Sequence, residues 1–462
     1  MNKITAALVS TGLVSVASVA QANTVIYLTG STAARAYIYS MMTGTSDLFS
    51  SPASVVAGTN ANSSNQIVYE GTITGVSGTV DISCDFTGSE AGIASTAGQP
   101  LSQDIPNDPN QTGSGADLST YPLPGVGAAS AFFQPNGSGG WTAASSLPGG
   151  TLPDLSMADT SQAVSRTPQS SFPLHDYGVV GIVPFTAMKG YEATPDSSWN
   201  DCVNITTAGL NQALALGGFL TANYLTGNPN DSDAVAVVGR NFGSGTRVNT
   251  FLNAAAYPLL TTVGQYGWNS GYPVTGGVGA QGTLTFAGLN GSGTGSGATF
   301  ATVSTPYASG GTIVSVGNDG YDSGGGVGQN MNVDGTGSGV LTVGYLGISD
   351  AQKAITDGNG GTAGGDGVPL MFNGVYESDA NVENGSFPWW GQEHLLGQQS
   401  EFTGGTVQAT VGGDLASAIK TYIGTKGTAT GDILSNAAGQ SLLVPQSKMS
   451  VSRSLDYGYP VQ

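Results

Sequence analysis

Short apolar runs that end in glycine- and hydroxyl-bearing turns recur along this chain, and most of them lead into a segment with helical spacing. Val25-Ile-Tyr-Leu28 enters Thr29-Gly-Ser-Thr-Ala-Ala-Arg-Ala-Tyr37, and the run from Ala33 to Met42 has helical character. Thr79 to Phe86 alternates as a strand and opens into Thr87-Gly-Ser-Glu-Ala-Gly-Ile93, a second helix start. Leu155-Ser-Met-Ala-Asp159 is a short strand that ends at its aspartate, and Val179 to Phe185 reads as a fully buried strand. Asn204 to Leu216 has helical spacing. Ala234-Val-Ala-Val-Val238 runs through Arg240 into Gly-Ser-Gly-Thr246, where a helix is expected to begin. Gly339 to Ala351 turns from strand to helix, and Asp414 to Tyr422 is amphipathic. Strands alternating with helices in this way predict an α/β fold.

Two stretches break the pattern. Residues 94–153 carry Pro100, Pro106, Pro109, Pro122, Pro124 and Pro135 among Gly, Ser and Asn, and residues 271–311 are rich in Gly, Thr and Ser with no fixed repeat period. Both read as insertions into a compact domain. Phe387-Pro-Trp-Trp-Gly391 is the densest aromatic patch, and hinge or core packing explains it better than ligand stacking.

Composition narrows the partners. Lys3, an apolar run from Ile4 to about Val19 and Ala20-Gln21-Ala22 form the layout of a secretory leader, so cleavage is expected after Ala22, and the mature chain is expected to be exported. No later stretch approaches ~18 uninterrupted apolar residues. The formal net charge is -19 with only 9% charged residues, which disfavours nucleic acid and anionic membranes as partners. Screening beyond ~8 Å leaves local dipoles free to decide the binding of a small anion. Cys84 and Cys202 fall in different expected lobes, and whether they pair is open. His175 and His394 have no metal-ligand spacing, so no metal or cofactor is expected. No nucleophile, histidine and acid constellation suggests an enzyme.

The candidate chemistry lies in the turns. Ser244, Gly245 and Thr246 fall where the first free amides of a helix point outward, glycines permit close backbone approach, and Arg240 supplies a fixed cation. Ser31 and Thr32 stand at the next such helix start, where a plain N-cap role explains them equally well, and Ser89 at a third. Asp159 can accept a hydrogen bond from a protonated oxyanion and repel one without a proton; a helix cap is its other reading.

The order Leu28-Thr-Gly-Ser-Thr, Thr87-Gly-Ser-Glu-Ala-Gly, Met157-Ala-Asp, Gly178-Val-Val-Gly-Ile-Val-Pro, Arg240-Asn-Phe-Gly-Ser-Gly-Thr, Gly317-Asn-Asp-Gly and Val343-Gly-Tyr-Leu-Gly-Ile-Ser-Asp-Ala resembles the phosphate-binding proteins of ABC transporters, exported type 2 periplasmic binding proteins. The resemblance implies a two-lobed α/β fold with a ligand cleft between the lobes and Gly-rich insertions. One lobe would hold 23–182 and 390–462, the other 183–389, with hinge crossings near Val183 and Trp390. It implies phosphate or a similar oxyanion bound by Ser31, Thr32, Ser89, Asp159, Arg240, Ser244, Gly245 and Thr246, a monomer, and a permease partner. The chain departs from the family pattern at Phe242, where an aspartate usually stands, and at Ala158, where a serine does. The alternative is a secreted structural or surface protein on the same scaffold.

Overall fold

The computed structural model describes residues 23–453 except 100–131, 269–312, 318–323, 357–365, 427–442 and further breaks of up to four residues, among them Thr87 and Phe242. The leader, the second insertion and Asn318-Asp-Gly320 therefore lie outside the described residues.

The strands that matter are β1 (Thr24–Gly30), β2 (Ser54–Gly58), β3 (Gln66–Gly71), β4 (Val80–Asp85), β5 (Leu155–Ala158), β6 (Leu174–Lys189), β7 (Ala234–Val238), β8 (Val340–Gly347), β9 (Val368–Pro369) and β10 (Trp390–Gln398). They form one mixed sheet in the order β7-β8-β6-β10-β5-β1-β4-β3-β2, with β9 paired to the end of β6. The parallel pairs are β1 with β4, β1 with β5 and β7 with β8. Helices α1 (Ala34–Thr43), α2 (Ser89–Thr96), α3 (Thr207–Leu216), α4 (Gly245–Asn249), α5 (Ile348–Thr356) and α6 (Val407–Lys426) surround it. The fold is mixed α/β, as the strand and helix alternation predicts.

β6 ties the sheet together because it is 16 residues long, well beyond the stretch Val179 to Phe185 that its apolar run alone marks as strand. Its first part, Leu174 to Pro184, pairs with β10; from Phe185 onward it pairs with β8. The change of partner falls at the pair Trp390↔Pro184, where β10 begins. Proline suits that place, because it cannot donate to a ladder on the side where the partner changes.

One main apolar core runs across this change, taking in Val235, Val237, Leu341 and Val343 as well as β1 and β4, and a smaller one lies beside it. Ile38 and Met41 of α1 and Leu415 and Ile419 of α6 share the main core with Ile26, Leu28, Ile82 and Leu395 of the sheet. Met188, Val238, Leu346, Ile348 and Ala351 form a separate cluster around β8 and α5. On the opposite face of β5, Ile93 of α2 packs on Ala158 and Leu396.

Three boundaries differ from the sequence reading. The helix expected from Asn204 starts at Thr207, because Asn204–Ile205 pairs in parallel with Met371–Phe372. α1 is capped at Ala33 without a side-chain hydrogen bond, so neither Ser31 nor Thr32 is its N-cap. α6 is longer than its amphipathic stretch, beginning at Val407. Part of the first insertion is also structured: Phe132–Pro135 and Trp141–Ala144 form a hairpin. It is held by the Ser83 hydroxyl donating to Phe133 O (2.8 Å) and by Phe132 meeting the Tyr27 ring edge-on at 5.3 Å.

Trp389 and Trp390 are buried, with Trp389 against Phe372 and the Arg453 guanidinium 3.6 Å over the Trp390 ring. Packing is their role in this fold. Cys84 and Cys202 are both buried and both free. Among the described residues no helix is long and apolar enough to cross a membrane.

Candidate functional site

The carboxyl ends of β1, β4, β5 and β7 release Ser31, Ser89, Asp159 and Arg240 respectively, the ends of strands in an α/β sheet where ligands bind; β7 runs opposite to the other three, so its carboxyl end points toward theirs. Ser89, Asp159 and Gly245, far apart in the chain, meet there. The Ser89 hydroxyl donates to Asp159 Oδ1 at 2.5 Å, and the Asp159 amide donates back to Ser89 Oγ at 3.3 Å. A Cβ placed on Gly245 would stand 1.5 Å from Asp159 Oδ1 and 2.8 Å from Ser89 Oγ, so only glycine admits this approach.

A second contact joins the same turns. Gly88 has φ 132, and a Cβ there would stand 2.2 Å from Gly243 O. That carbonyl accepts from the amides of Glu90 (3.1 Å) and Ala91 (3.4 Å). The sequence reading treats the amides beside Ser89 as ligand donors; these two are instead spent on Gly243. Without a side-chain cap the first amides of α2 need an acceptor, and the approaching loop provides it.

The amides of α4 are arranged differently. Ser244 is its N-cap and accepts from Arg247 N at 3.4 Å. Gly245 and Thr246 are the first two residues of the helix, so their amides have no intrahelical acceptor. The helix begins at Gly245, one residue before the start expected from the sequence, and runs directly into a π-helical turn, Thr250–Ala254. The Asn249 amide reaches back from α4 to Asp159 O (2.8 Å) and Gly245 O (3.1 Å).

Arg240 is buried, and its backbone is held on both sides. Its amide donates to the Tyr345 hydroxyl oxygen (3.0 Å), and its carbonyl accepts from Arg247 Nη1 (3.0 Å) and Gln265 Nε2 (3.1 Å). Burial pushes the Tyr345 hydroxyl up, opposed by the charges of Arg247 and Arg240. Two buried arginines thus stand on one side of the turn cluster. Arg247 escapes sequence reasoning because inside a helix it reads as a surface cation; Tyr345 and Gln265 escape because their partner is a carbonyl far away in the chain.

Of the other sequence-predicted residues, Ser31 is buried, donates its amide to Met157 O (2.8 Å) and accepts from Ala33 N (3.2 Å). Thr32 is only half-buried, and its carbonyl accepts from Arg35 (2.9 Å). No hydrogen bond between Thr32 and the Ser89, Asp159 and Gly245 group is seen among the described residues. Phe242, the family departure, lies outside them.

Acidic groups line the other side. Glu90, in the first turn of α2, is fully buried, accepting from the Thr160 hydroxyl (3.2 Å) and the Arg166 amide (2.8 Å). Burial pushes its carboxyl up to about 7 against those bonds and the Arg166 charge. Glu393 on β10 is also fully buried, and burial, then the Asp159 charge, push it well above the carboxylate range. In sequence, Gln392-Glu-His394 reads as a polar stretch, so nothing local marks Glu393 as interior.

The chain is thus a mixed α/β protein with glycine-hydroxyl turns, two buried arginines and buried acidic groups gathered where the carboxyl ends of its strands meet. No family model matches it, and no curated protein does. Solved structures similar to it include a putative phosphate ABC transporter substrate-binding protein with bound phosphate from Clostridium perfringens. It shares 12% identity over 86% of this chain and 92% of that one, with a TM-score of 0.38. PstS from Borrelia burgdorferi matches with 10% identity over 87% and 97% at 0.34. A possible phosphate binding protein from Planctomyces limnophilus matches with 9% over 92% and 95% at 0.36.

Proposed function

We propose that this chain is an exported solute-binding protein that captures phosphate between two lobes and passes it to an ABC-transporter permease. The observation that carries the reading is the meeting of the Ser89 hydroxyl, the Asp159 carboxylate and the Cα of Gly245, beside the first amides of α4 and the buried Arg240. Amides at a helix start and a buried guanidinium favour an anion. An aspartate among them favours one that keeps a proton, as phosphate does near neutrality and sulfate does not.

The magnitudes suffice. Micromolar binding needs about 8 kcal/mol, and charge-assisted hydrogen bonds contribute roughly 1.5–3 kcal/mol each before ordering costs. Arg240, the Gly245 and Thr246 amides, and the Thr246 and Ser31 hydroxyls are the donors; the Ser89 hydroxyl donates to Asp159 and joins them only by giving up that bond. Hinge closure fits the exchange of partners along β6 at Pro184 and Phe185, where β10 also begins. Residues 23–182 and 390–462 would move against 183–389.

Thermal unfolding of the mature protein, prepared free of phosphate and titrated with phosphate and with sulfate, tests the reading. Phosphate alone is expected to raise the melting temperature in a concentration-dependent way. No shift with either anion would move the assignment to a secreted structural role. In calorimetric titration Arg240→Ala is expected to weaken phosphate binding at least about tenfold, the ~1.4 kcal/mol of one charged donor, with the melting transition still cooperative. Unchanged affinity would remove Arg240 from the site.

A further inference from the structure

Glu393 is fully buried, and neither of its carboxyl oxygens has a hydrogen-bond partner among the described residues. The Tyr37 hydroxyl on α1, 2% exposed, has none either. Both belong to the neighbourhood of Asp159. In the antiparallel pair β5/β10, Ala158 faces His394, so Asp159 and Glu393 are the next residues of the two strands beyond that last pair, and the Asp159 charge acts on Glu393. Gly391, two residues earlier, comes so close that a Cβ there would stand 2.6 Å from Asp159 O. On the other side of β10, Gly181 of β6 lies opposite Glu393 and faces Leu443 and Ile423, so the wall on that face is apolar.

A carboxyl behind an apolar wall and beside Asp159 is held neutral, since two carboxylates cannot both ionise cheaply in a dry site. The groups around it agree. Burial, then Glu393 and Asp159, push the Tyr37 hydroxyl well up. His394, which would oppose this when protonated, is bonded to Asp176 of β6 (2.9 Å). Glu90 of α2 is occupied by Thr160 and Arg166, and Lys420 of α6 lies toward Gly178, 3.6 Å from where its Cβ would be.

We propose that Glu393 is a specificity-determining residue of the oxyanion site, entering the bound complex with a proton and supplying, with the Tyr37 hydroxyl, two buried donors beside Asp159. The inference rests on the phosphate reading above. Binding then requires the proton that Glu393 already holds: a deprotonated Glu393 would place a second negative charge beside Asp159 and weaken capture of an anion.

The test compares phosphate affinity of wild type and Glu393→Gln by calorimetry at pH steps from about 6 to 9.5; taking the ratio at each pH cancels the titration of phosphate itself. The glutamine keeps a neutral donor of the same shape. Its affinity at about pH 7 is expected within about threefold of wild type, while wild type weakens relative to it by at least about tenfold toward pH 9.5. A ratio independent of pH overturns the proposal, as does a folded Glu393→Gln that fails to bind at neutral pH. Should the amide disturb folding, Glu393→Met fills the same volume. It is expected to bind about tenfold more weakly at neutral pH and to lose the alkaline fall in the same way, and a retained fall overturns the proposal. Wild type that ignores phosphate at every pH refutes the phosphate reading and this inference with it, whereas binding with a flat ratio refutes the inference alone.

Discussion

Gly245→Ala is expected to lower phosphate affinity by about a hundredfold or more, or about 2.7 kcal/mol. The alanine methyl would stand 1.5 Å from Asp159 Oδ1 and 2.6 Å from its Cγ, with Ser89 Oγ at 2.8 Å. None of these can move cheaply, because Asp159 is bonded to Ser89 and its carbonyl is held by Asn249. α4 must therefore retreat from β5, carrying the Gly245 and Thr246 amides with it. The sign of the effect is informative, because alanine is the better helix former by about 1 kcal/mol and would stabilise α4 in isolation. Overpacking of this kind costs typically ~1–3 kcal/mol of stability, so the variant should fold with a lowered melting temperature. Calorimetric titration of the variant with phosphate decides the matter, and wild-type affinity would mean that the ligand does not use this contact.

Stability is expected to fall as pH rises from about 5 to 8, the reverse of the trend for a protein whose carboxylates are salt-bridged. Burial pushes Asp85 up to about 7 against a bond from Gln66, and Glu90 up to about 7. Burial, opposed by the Tyr27 amide and aided by Glu401, raises Asp154, and Glu393 is raised further still. Each of these groups holds a proton in the fold that the unfolded chain has released above its ordinary value. The native state therefore binds more protons through this window, and stability declines with rising pH. For Asp85, Glu90 and Asp154 the loss is complete near pH 7; for Glu393 it continues beyond. All four groups act in the same direction, so the melting temperature is expected to fall steadily across this window. Asp176 acts the other way: burial raises it, but the bond and charge of His394 and the Gly178 amide outweigh that and hold it low. Its contribution is lost only in stronger acid. Melting curves across pH are the check, and a rise in melting temperature from pH 5 to 8 would contradict the burial of these carboxyls. Glu393→Gln should flatten the slope.

Element type was legible because it is written locally. Val235 to Val238 and Thr79 to Phe86 have the run and alternation of strands, and the Gly-Ser turns after them mark helix starts that the fold contains, α2 at Ser89 and α4 at Gly245. Where neighbours intervene, boundaries move. Asn204 and Ile205 leave the helical pattern to pair with Met371 and Phe372, and β6 outgrows its apolar run because both β10 and β8 offer it partners.

The amino-acid sequence by itself determined the α/β alternation, the glycine-hydroxyl turns and the presence of an arginine before one of them, since each depends on residues within a few positions of one another. Only the tertiary structure decided that Ser89, Asp159 and Gly245 touch, that Gly243 takes the α2 amides, that Tyr345 and Gln265 clamp Arg240, and that Glu393 is interior. Those facts depend on sheet order, which places strands distant in the chain side by side. A period-two pattern specifies which face a residue takes and leaves open which strand will lie opposite.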